Sequence, residues 1–111
     1  MKDDDIDDPL FVAQLCKGDR DAMGRVVSLY LPQTLRAARA SGLQAQESED
    51  VVQSAFATFI EKMPEFEGRS RVRTWLFGIL YRKVIIQHIE YEGAKHKDTK
   101  APRKPASKRL F

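Results

Sequence analysis

The sequence contains few of the residues that usually carry enzyme or metal chemistry. Cys16 is the only cysteine, and His88 and His96 are the only histidines. A single cysteine excludes an internal disulfide and a cysteine-rich metal site, and it fits a reducing compartment. Because Cys16 stands beside Leu15 in a short apolar run, we interpret it as a packed thiol. Neither histidine has catalytic or ligating neighbours in the sequence, so each is interpreted as a surface residue.

Long apolar segments and enzyme motifs are also missing. No run approaches the roughly 20 apolar residues that a helix needs to span a bilayer. The acidic N-terminus has no apolar stretch of the kind found in a signal peptide, and a cytoplasmic location is therefore expected. There is no phosphate-binding glycine loop, no metal-spaced histidine and cysteine set and no nucleophile elbow. We expect no enzyme activity, no cofactor and no metal.

Charge is distributed unevenly along the chain. The net charge is +3, but residues 1–10 carry five aspartates against one lysine, whereas residues 95–111 carry seven basic residues against one aspartate. This asymmetry indicates either a basic arm that meets nucleic acid or a solvated tail. We predict a disordered acidic N-terminus at 1–8, a helical domain at 9–92 and a basic linker or tail at 93–111.

Apolar residues recur at helical spacing in the first half of the domain. Pro9 suits the first turn of a short helix, which Gly18 ends. Asp19 is the predicted cap of a second helix that reaches about Ala40. Pro32 lies inside this helix and predicts a kink or a break.

Two further helices are predicted in the second half. Ser48 is the expected cap of a helix that Pro64 stops, and Ser70 that of a helix from about Arg71 to Tyr91. No segment alternates as a strand would. The predicted fold is all-α, a compact bundle of about four helices.

The third predicted helix has an apolar and a polar face. The apolar face, expected in the core, consists of Val52, Ala55, Phe56, Phe59 and Met63. The opposite face contains Asp50, Gln53, Ser54, Ala57 and Glu61. It is either an ordinary solvated surface or a docking face for a basic or amphipathic partner.

A basic and aromatic cluster surrounds the start of the last predicted helix. It comprises Phe66, Arg69, Arg71, Arg73, Trp75, Phe77 and Tyr81. Arginines neutralise phosphates, aromatic rings stack on unpaired bases, and a helix N-terminus offers free N–H groups to a phosphate. This combination suits single-stranded nucleic acid. The alternative is that Phe66 and Trp75 are core residues with a solvated arginine rim, and composition alone favours the core for each ring individually.

These segments together resemble region 2 of the extracytoplasmic-function (group 4) sigma factors, the subunits that direct bacterial RNA polymerase to promoters. The resemblance spans about residues 9–91. It is carried by Glu49-Asp50-Val51-Val52-Gln53, Phe66-Glu67-Gly68-Arg69-Ser70 and Val72-Arg73-Thr74-Trp75-Leu76.

The resemblance implies partners for both surfaces. The third helix would bind the clamp helices of the largest polymerase subunit through Glu49, Asp50, Gln53, Ser54, Ala57 and Glu61. The loop at 64–73 would capture a base flipped from the non-template strand of the minus-ten element, and the last helix would hold that strand. The implied DNA-binding residues are Phe66, Gly68, Arg69, Ser70, Arg71, Arg73, Thr74, Trp75, Tyr81, Arg82 and Lys83. An anti-sigma factor is a further implied partner.

The chain departs from the family pattern in three places. Ser54 stands where an acidic residue is common, and the usual Asn near Arg82 and Asp near Ile86 are absent. The helix-turn-helix domain that reads the minus-thirty-five element is missing, which we interpret as truncation of a longer protein. The alternative function is a helical interaction module, whose Ile85, Ile89 and basic tail bind an anti-sigma-like partner without DNA contact.

Overall fold

The computed structural model describes the backbone of residues 3–97 and the side chains of residues 5–90. Within that range the chain is helical and has no strand. The elements in chain order are α1 (Asp3–Ile6), α2 (Pro9–Cys16), α3 (Arg20–Ala40), α4 (Ala45–Lys62), a 3-10 turn (Met63–Glu65) and α5 (Val72–Lys97). Because α1 is a single turn, the bundle has four substantial helices. The all-α prediction is confirmed.

Aspartate caps set the starts of α2 and α3. The Asp8 carboxylate accepts hydrogen bonds from the backbone N–H groups of Leu10 and Phe11, at 3.1 and 3.2 Å. The Asp19 carboxylate accepts from the Ala22 N–H at 3.0 Å, which confirms the predicted cap. Gly18 turns the chain between the two helices with φ +82°, a conformation that a side chain would strain.

Helix α3 continues through Pro32 to Ala40, so the predicted break does not occur. Proline in a helix interior costs about 3 kcal/mol, and packing on both sides offsets that cost. Tyr30 and Thr34 flank Pro32 and are fully buried. The Thr34 hydroxyl donates to the Tyr30 carbonyl oxygen at 2.9 Å, which adds a local bond beside the missing proline donor.

Helix α4 begins one turn earlier than the predicted Ser48 cap. The Gln44 backbone N–H donates to the Glu47 side chain at 3.0 Å, one half of a capping box that starts the helix at Ala45. Ser48 is inside the helix and fully buried. The prediction was wrong because a serine small enough to pack in the core resembles a cap when only its flanking residues are considered. At the other end α4 stops at Lys62, before Pro64, as expected.

Helix α4 lies in the centre of the bundle and packs against both α3 and α5. Its predicted apolar face is confirmed, since all five members are buried: Val52, Ala55, Phe56, Phe59 and Met63. Tyr30 of α3 and Leu76 and Leu80 of α5 complete the centre of this core. Cys16 is half-buried against the same core, in agreement with a packed thiol.

The prediction that residues 1–8 are disordered is wrong for residues 3–8. Asp3–Ile6 form α1, and Ile6 is completely buried in the hydrophobic core. The five aspartates of this segment suggested disorder. Burial of its one isoleucine contributes about 1.5–3 kcal/mol, which is enough to attach the segment to the core. The N-terminal segment is therefore part of the domain.

At the other end, α5 runs to Lys97, beyond the predicted boundary at residue 93. A single glycine, Gly93, among helix-forming residues lowers helix stability by only about 1 kcal/mol and does not end the helix. His88 is an exposed residue, as predicted, and its Nε2 lies 2.9 Å from the Ser41 carbonyl oxygen at the end of α3. The side chain of His96 and the rest of the predicted basic tail, 98–111, lie outside the described residues.

Candidate nucleic-acid interface

The loop between the 3-10 turn and α5 is joined to the core by two aromatic rings. The rings of Phe66 and Trp75 lie 5.1 Å apart, and Trp75 also contacts Phe59 at 5.7 Å. Phe59 is fully buried, whereas Phe66 and Trp75 are half-buried. Both rings thus pack on the core, as the alternative interpretation held, and both remain partly accessible.

The tip of this loop is exposed and shaped by a glycine. Gly68 has φ +77°, and apart from its two chain neighbours no residue comes within 4 Å of the position where a Cβ would stand. The backbone conformation, and not lack of space, therefore favours glycine here. Next to it Arg69 forms an ion pair with Glu67 at 3.0 Å, with the two side chains 87% and 67% exposed. Such an exposed pair contributes at most about 1 kcal/mol and leaves the guanidinium available to an anionic ligand.

The start of α5 is capped from the other end of the sequence. Asp7 Oδ1 accepts a hydrogen bond from the Val72 N–H at 2.8 Å, and Asp7 Oδ2 pairs with Arg71 Nε at 2.9 Å. The predicted Ser70 cap is wrong, because the Ser70 hydroxyl instead donates to the Arg71 carbonyl oxygen at 3.1 Å. Local sequence signals could not find this cap, since Asp7 lies 65 residues from Val72. The single indication in the sequence was Asp7 itself, which stands beside the Asp8 cap and is not needed to cap α2.

Arg73 is fixed between two helices. Its Nη2 donates to Gln33 Oε1 of α3 at 3.2 Å, and its guanidinium carbon lies 4.2 Å from the centre of the Phe77 ring. Phe77 is buried and packs edge-on against Tyr30 at 6.4 Å. It also approaches Tyr81, at 6.0 Å. Arg73 is therefore held in a defined position by a hydrogen bond and a cation–π contact.

The outward side of α5 presents the remaining predicted residues. Thr74, Tyr81 and Arg82 are exposed, and Lys83 is half-buried. Gly78 lies between them with open space around its Cα. This part of the helix surface therefore offers polar, aromatic and cationic groups to a ligand.

A shallow, open cleft of about 660 Å³ lies between the loop and residues 7–13. One wall is formed by Asp7, Pro9, Val12 and Ala13, and the other by Phe66, Gly68, Arg69, Ser70 and Arg71. The structure thus brings five of the predicted DNA-binding residues together around one cleft. It also adds a wall from residues 7–13 that sequence reasoning assigned no role.

The predicted polymerase-binding residues lie on the outer side of α4. Glu49, Asp50, Gln53 and Glu61 are exposed, whereas Ser54 and Ala57 are half-buried. Asp50 accepts a hydrogen bond from Gln46 at 3.2 Å. Ile60, 45% exposed, belongs to the same side and was not assigned to either face of the predicted helix. We call these residues with Ile60 the outer face of α4.

Comparison with known proteins decides the family. The Sigma-70 region 2 model matches residues 26–92, which include α4, the loop and most of α5. The chain belongs to the Sigma-70 region 2 family. The resemblance to extracytoplasmic-function sigma factors is thereby confirmed.

Two curated relatives resemble this region 2 chain. RNA polymerase sigma factor CnrH of Cupriavidus metallidurans is 30% identical over 77 residues, which cover 69% of this chain and 40% of the relative. RNA polymerase sigma factor NccH of Alcaligenes xylosoxydans xylosoxydans is 29% identical over 84 residues, covering 76% of this chain and 45% of the relative. The chain spans less than half the length of either relative. No solved structure matches it.

No helix among the described residues of this region 2 chain has the length and apolar character needed to cross a membrane.

Proposed function

We propose that this region 2 chain is a non-enzymatic transcription-initiation module. It docks on the clamp helices of the largest RNA polymerase subunit through the outer face of α4. It captures a base of the non-template strand of the minus-ten element in the cleft beside the loop at 66–71, and so recognises this element and helps to melt it. The observation that carries the proposal is that one half-buried aromatic ring, Phe66, and two exposed arginines, Arg69 and Arg71, line one open cleft in a chain of this family.

The chemistry of the cleft supports base capture. Phe66 offers an apolar surface that is already half desolvated, and Arg69 extends a weakly paired guanidinium beside it. Flipping a base out of a duplex costs a few kcal/mol, which stacking and hydrogen bonds in a pocket can offset. Stacking on an aromatic side chain contributes about 1–3 kcal/mol per base. Stacking on Phe66 would offset part of that cost, and a hydrogen bond from Arg69 would contribute to the remainder.

The surface of α5 supports a path for the rest of the strand. Thr74, Tyr81 and Arg82 are exposed on the helix that begins at the cleft. Arg73 is held beside them by Gln33 and Phe77. A cation whose side chain is already ordered loses little conformational entropy when it binds a phosphate. These residues are the proposed contacts to the sugar-phosphate backbone.

The composition of the outer face of α4 supports docking to a protein. Glu49, Asp50 and Glu61 make it acidic, and the half-exposed Ile60 adds an apolar residue near the end of the helix. A partner with basic residues around an apolar groove would complement both features. Clamp helices of the polymerase are the partner that the family suggests.

A second function is favoured by a specific observation on the later part of α5. Ile85, Ile86 and Ile89 are 58%, 50% and 63% exposed. Neighbouring exposed isoleucines are unusual on a surface that binds only DNA, and they suit a protein partner. The alternative is therefore an interaction module that holds an anti-sigma-like protein on α5 without DNA contact.

The two functions are separated by titrating the chain with fluorescent single-stranded oligonucleotides that differ at one base, at two salt concentrations. Electrostatic attraction alone gives affinities that ignore the base and fall steeply with salt. Base capture adds a preference of about 1–3 kcal/mol that salt barely changes. Equal affinity for all four bases would contradict base capture and favour the interaction module.

A pair of variants provides the matched control for that titration. Arg69→Gln removes a charge from the cleft, whereas Arg25→Gln removes the same charge from an exposed position on α3, in a different groove. Arg69→Gln is expected to weaken oligonucleotide binding several-fold more than Arg25→Gln. Equal losses would indicate general charge attraction.

A further inference from the structure

The N-terminal segment is bonded directly to the end of the loop at 66–71 and to the start of α5. Asp7 uses both carboxylate oxygens, one on the Val72 N–H at 2.8 Å and the other on Arg71 Nε at 2.9 Å. Its side chain is 26% exposed, so the bridge is partly shielded from water. Ile6, the preceding residue, is fully buried and holds the backbone of Asp7 against the core. The carboxylate is therefore presented from a fixed position.

The tip and the second end of the loop are exposed to solvent. Residues 67–71 are all exposed, and Gly68 adopts a left-handed conformation. The Glu67–Arg69 ion pair is highly exposed and contributes little to order. The first end is fixed differently, by the Phe66 N–H bonding to the Met63 carbonyl oxygen at 3.0 Å and by the Trp75 ring. Asp7 supplies the corresponding attachment at the second end.

We propose that Asp7 is a positioning residue for base selection. By capping α5 and orienting Arg71, it fixes the loop wall of the cleft at the distance from residues 9–13 that accommodates one base and discriminates among the four. A wall that is ordered before binding favours the base that fits, whereas a mobile wall adapts to any base. This inference rests on the proposed nucleic-acid function and assigns a role to the N-terminal segment, which the family match at 26–92 does not include.

The sign of the expected effects distinguishes positioning from simple charge. Asp7 is an anion beside a proposed phosphate-binding surface, so removing it reduces repulsion. Affinity for oligonucleotides of unrelated sequence should therefore stay the same or increase. Base discrimination should decrease at the same time, because the loop wall loses its anchor. Substituting a residue that only stabilised the fold would not lower base discrimination in the folded protein while leaving the affinity for unrelated sequences unchanged or higher.

The test uses the full chain and three substitutions. Asp7→Ala removes both contacts. Asp7→Asn keeps an oxygen that can cap Val72 but loses the charge that pairs with Arg71, and it guards against a failure of the alanine variant to fold. Asp21→Asn is the charge-matched control, because Asp21 is an exposed aspartate in the first turn of α3.

Two readouts are measured on each variant. One is the ratio of affinities for oligonucleotides that differ at one base, together with the affinity for a scrambled oligonucleotide. The other, which needs no nucleic acid, is the hydrogen exchange of the Val72 amide and the loop amides.

If the wild-type chain prefers one base over another by about fivefold or more, this preference should fall below about twofold in Asp7→Ala. The affinity of Asp7→Ala for the scrambled oligonucleotide should not decrease. Its Val72 amide should exchange about fivefold faster. Asp7→Asn should give values of both readouts between those of wild type and Asp7→Ala, and Asp21→Asn should match wild type. Unchanged discrimination in Asp7→Ala would overturn the positioning role while leaving base capture intact. No discrimination by wild type would instead overturn the proposed function, and with it this inference.

Discussion

Replacing Phe59 with alanine is the sharpest test of how this bundle is stabilised. Phe59 lies on the buried face of α4 and is completely inaccessible to solvent. Its ring contacts Trp75 at 5.7 Å, so it joins α4 to α5 behind the loop. Removing a buried phenyl ring costs about 3–5 kcal/mol. A domain of this size has a total stability of about 5–15 kcal/mol, so the variant should be marginally folded.

The magnitude can be converted into a measurable shift. With a urea m-value of about 2 kcal/mol per M, a loss of about 4 kcal/mol lowers the unfolding midpoint by about 2 M. Circular dichroism reports loss of helix, and the fluorescence of Trp75, the only tryptophan, reports on the region behind the loop. The two transitions should coincide if the domain unfolds in one step.

Phe66→Ala is the matched control for this experiment. It also removes a phenyl ring that faces Trp75, at 5.1 Å, but from a half-buried loop position. We expect a smaller cost, about 1–2 kcal/mol. An unchanged midpoint for Phe59→Ala, or an equal cost for the two variants, would refute the assignment of this face of α4 to the core.

Three further predictions concern the surfaces and one cap. Asp50→Ala and Gln53→Ala should weaken binding to polymerase core in a pull-down titration while changing stability by less than about 0.5 kcal/mol; a large stability loss with intact binding would make this face structural. Transplanting a different loop at 65–70 should change the preferred base in the oligonucleotide titration, whereas Arg82→Ala should weaken all sequences alike and flatten the salt dependence. Asp19→Ala should lower the free energy of unfolding by about 1 kcal/mol, measured by thermal unfolding. An unchanged stability would show that Asp19 does not stabilise the start of α3.

Hydrophobic periodicity predicted most of the fold because burial dominates the choice of helix face. The apolar members of α4 and the exposure of Ile85 and Ile89 on α5 both follow from residue spacing alone. The outer face of α4 follows from the same wheel, with Ile60 overlooked because an exposed isoleucine carries no periodic signal of its own. The proposed polymerase and promoter roles of these surfaces came from the resemblance, whereas the basic and aromatic residues alone indicated only single-stranded nucleic acid.

Helix caps were predicted poorly wherever a nearby serine competed with another group. Ser48 matched the local pattern of a cap, but Gln44 and Glu47 form the capping box and Ser48 is buried. Ser70 also matched, but the cap of α5 comes from Asp7. A cap is chosen by geometry around free N–H groups, and a group from elsewhere in the chain can satisfy them as well as a neighbour can. Only the folded backbone reveals that choice.

The same long-range contact explains why half of the candidate site was not foreseen. The loop residues Phe66 to Arg71 carry a recognisable pattern of basic and aromatic groups. The opposite wall, Pro9 to Ala13, is part of a short apolar helix with no functional signature. The cleft exists because Ile6 enters the core and brings the N-terminal segment beside the loop. Such a juxtaposition depends on tertiary packing and leaves no mark on local sequence.

The most direct test of base capture is a residue-resolved map of where a preferred single-stranded oligonucleotide binds. Amide chemical shifts of the isotope-labelled chain are followed during titration, with a scrambled oligonucleotide as the reference. Base capture predicts sequence-dependent shifts in the loop at 66–71, the cleft wall at 9–13 and the exposed side of α5 around Thr74 and Arg82, with the outer face of α4 unchanged. Identical shifts with both oligonucleotides, or shifts that avoid the cleft, would contradict it.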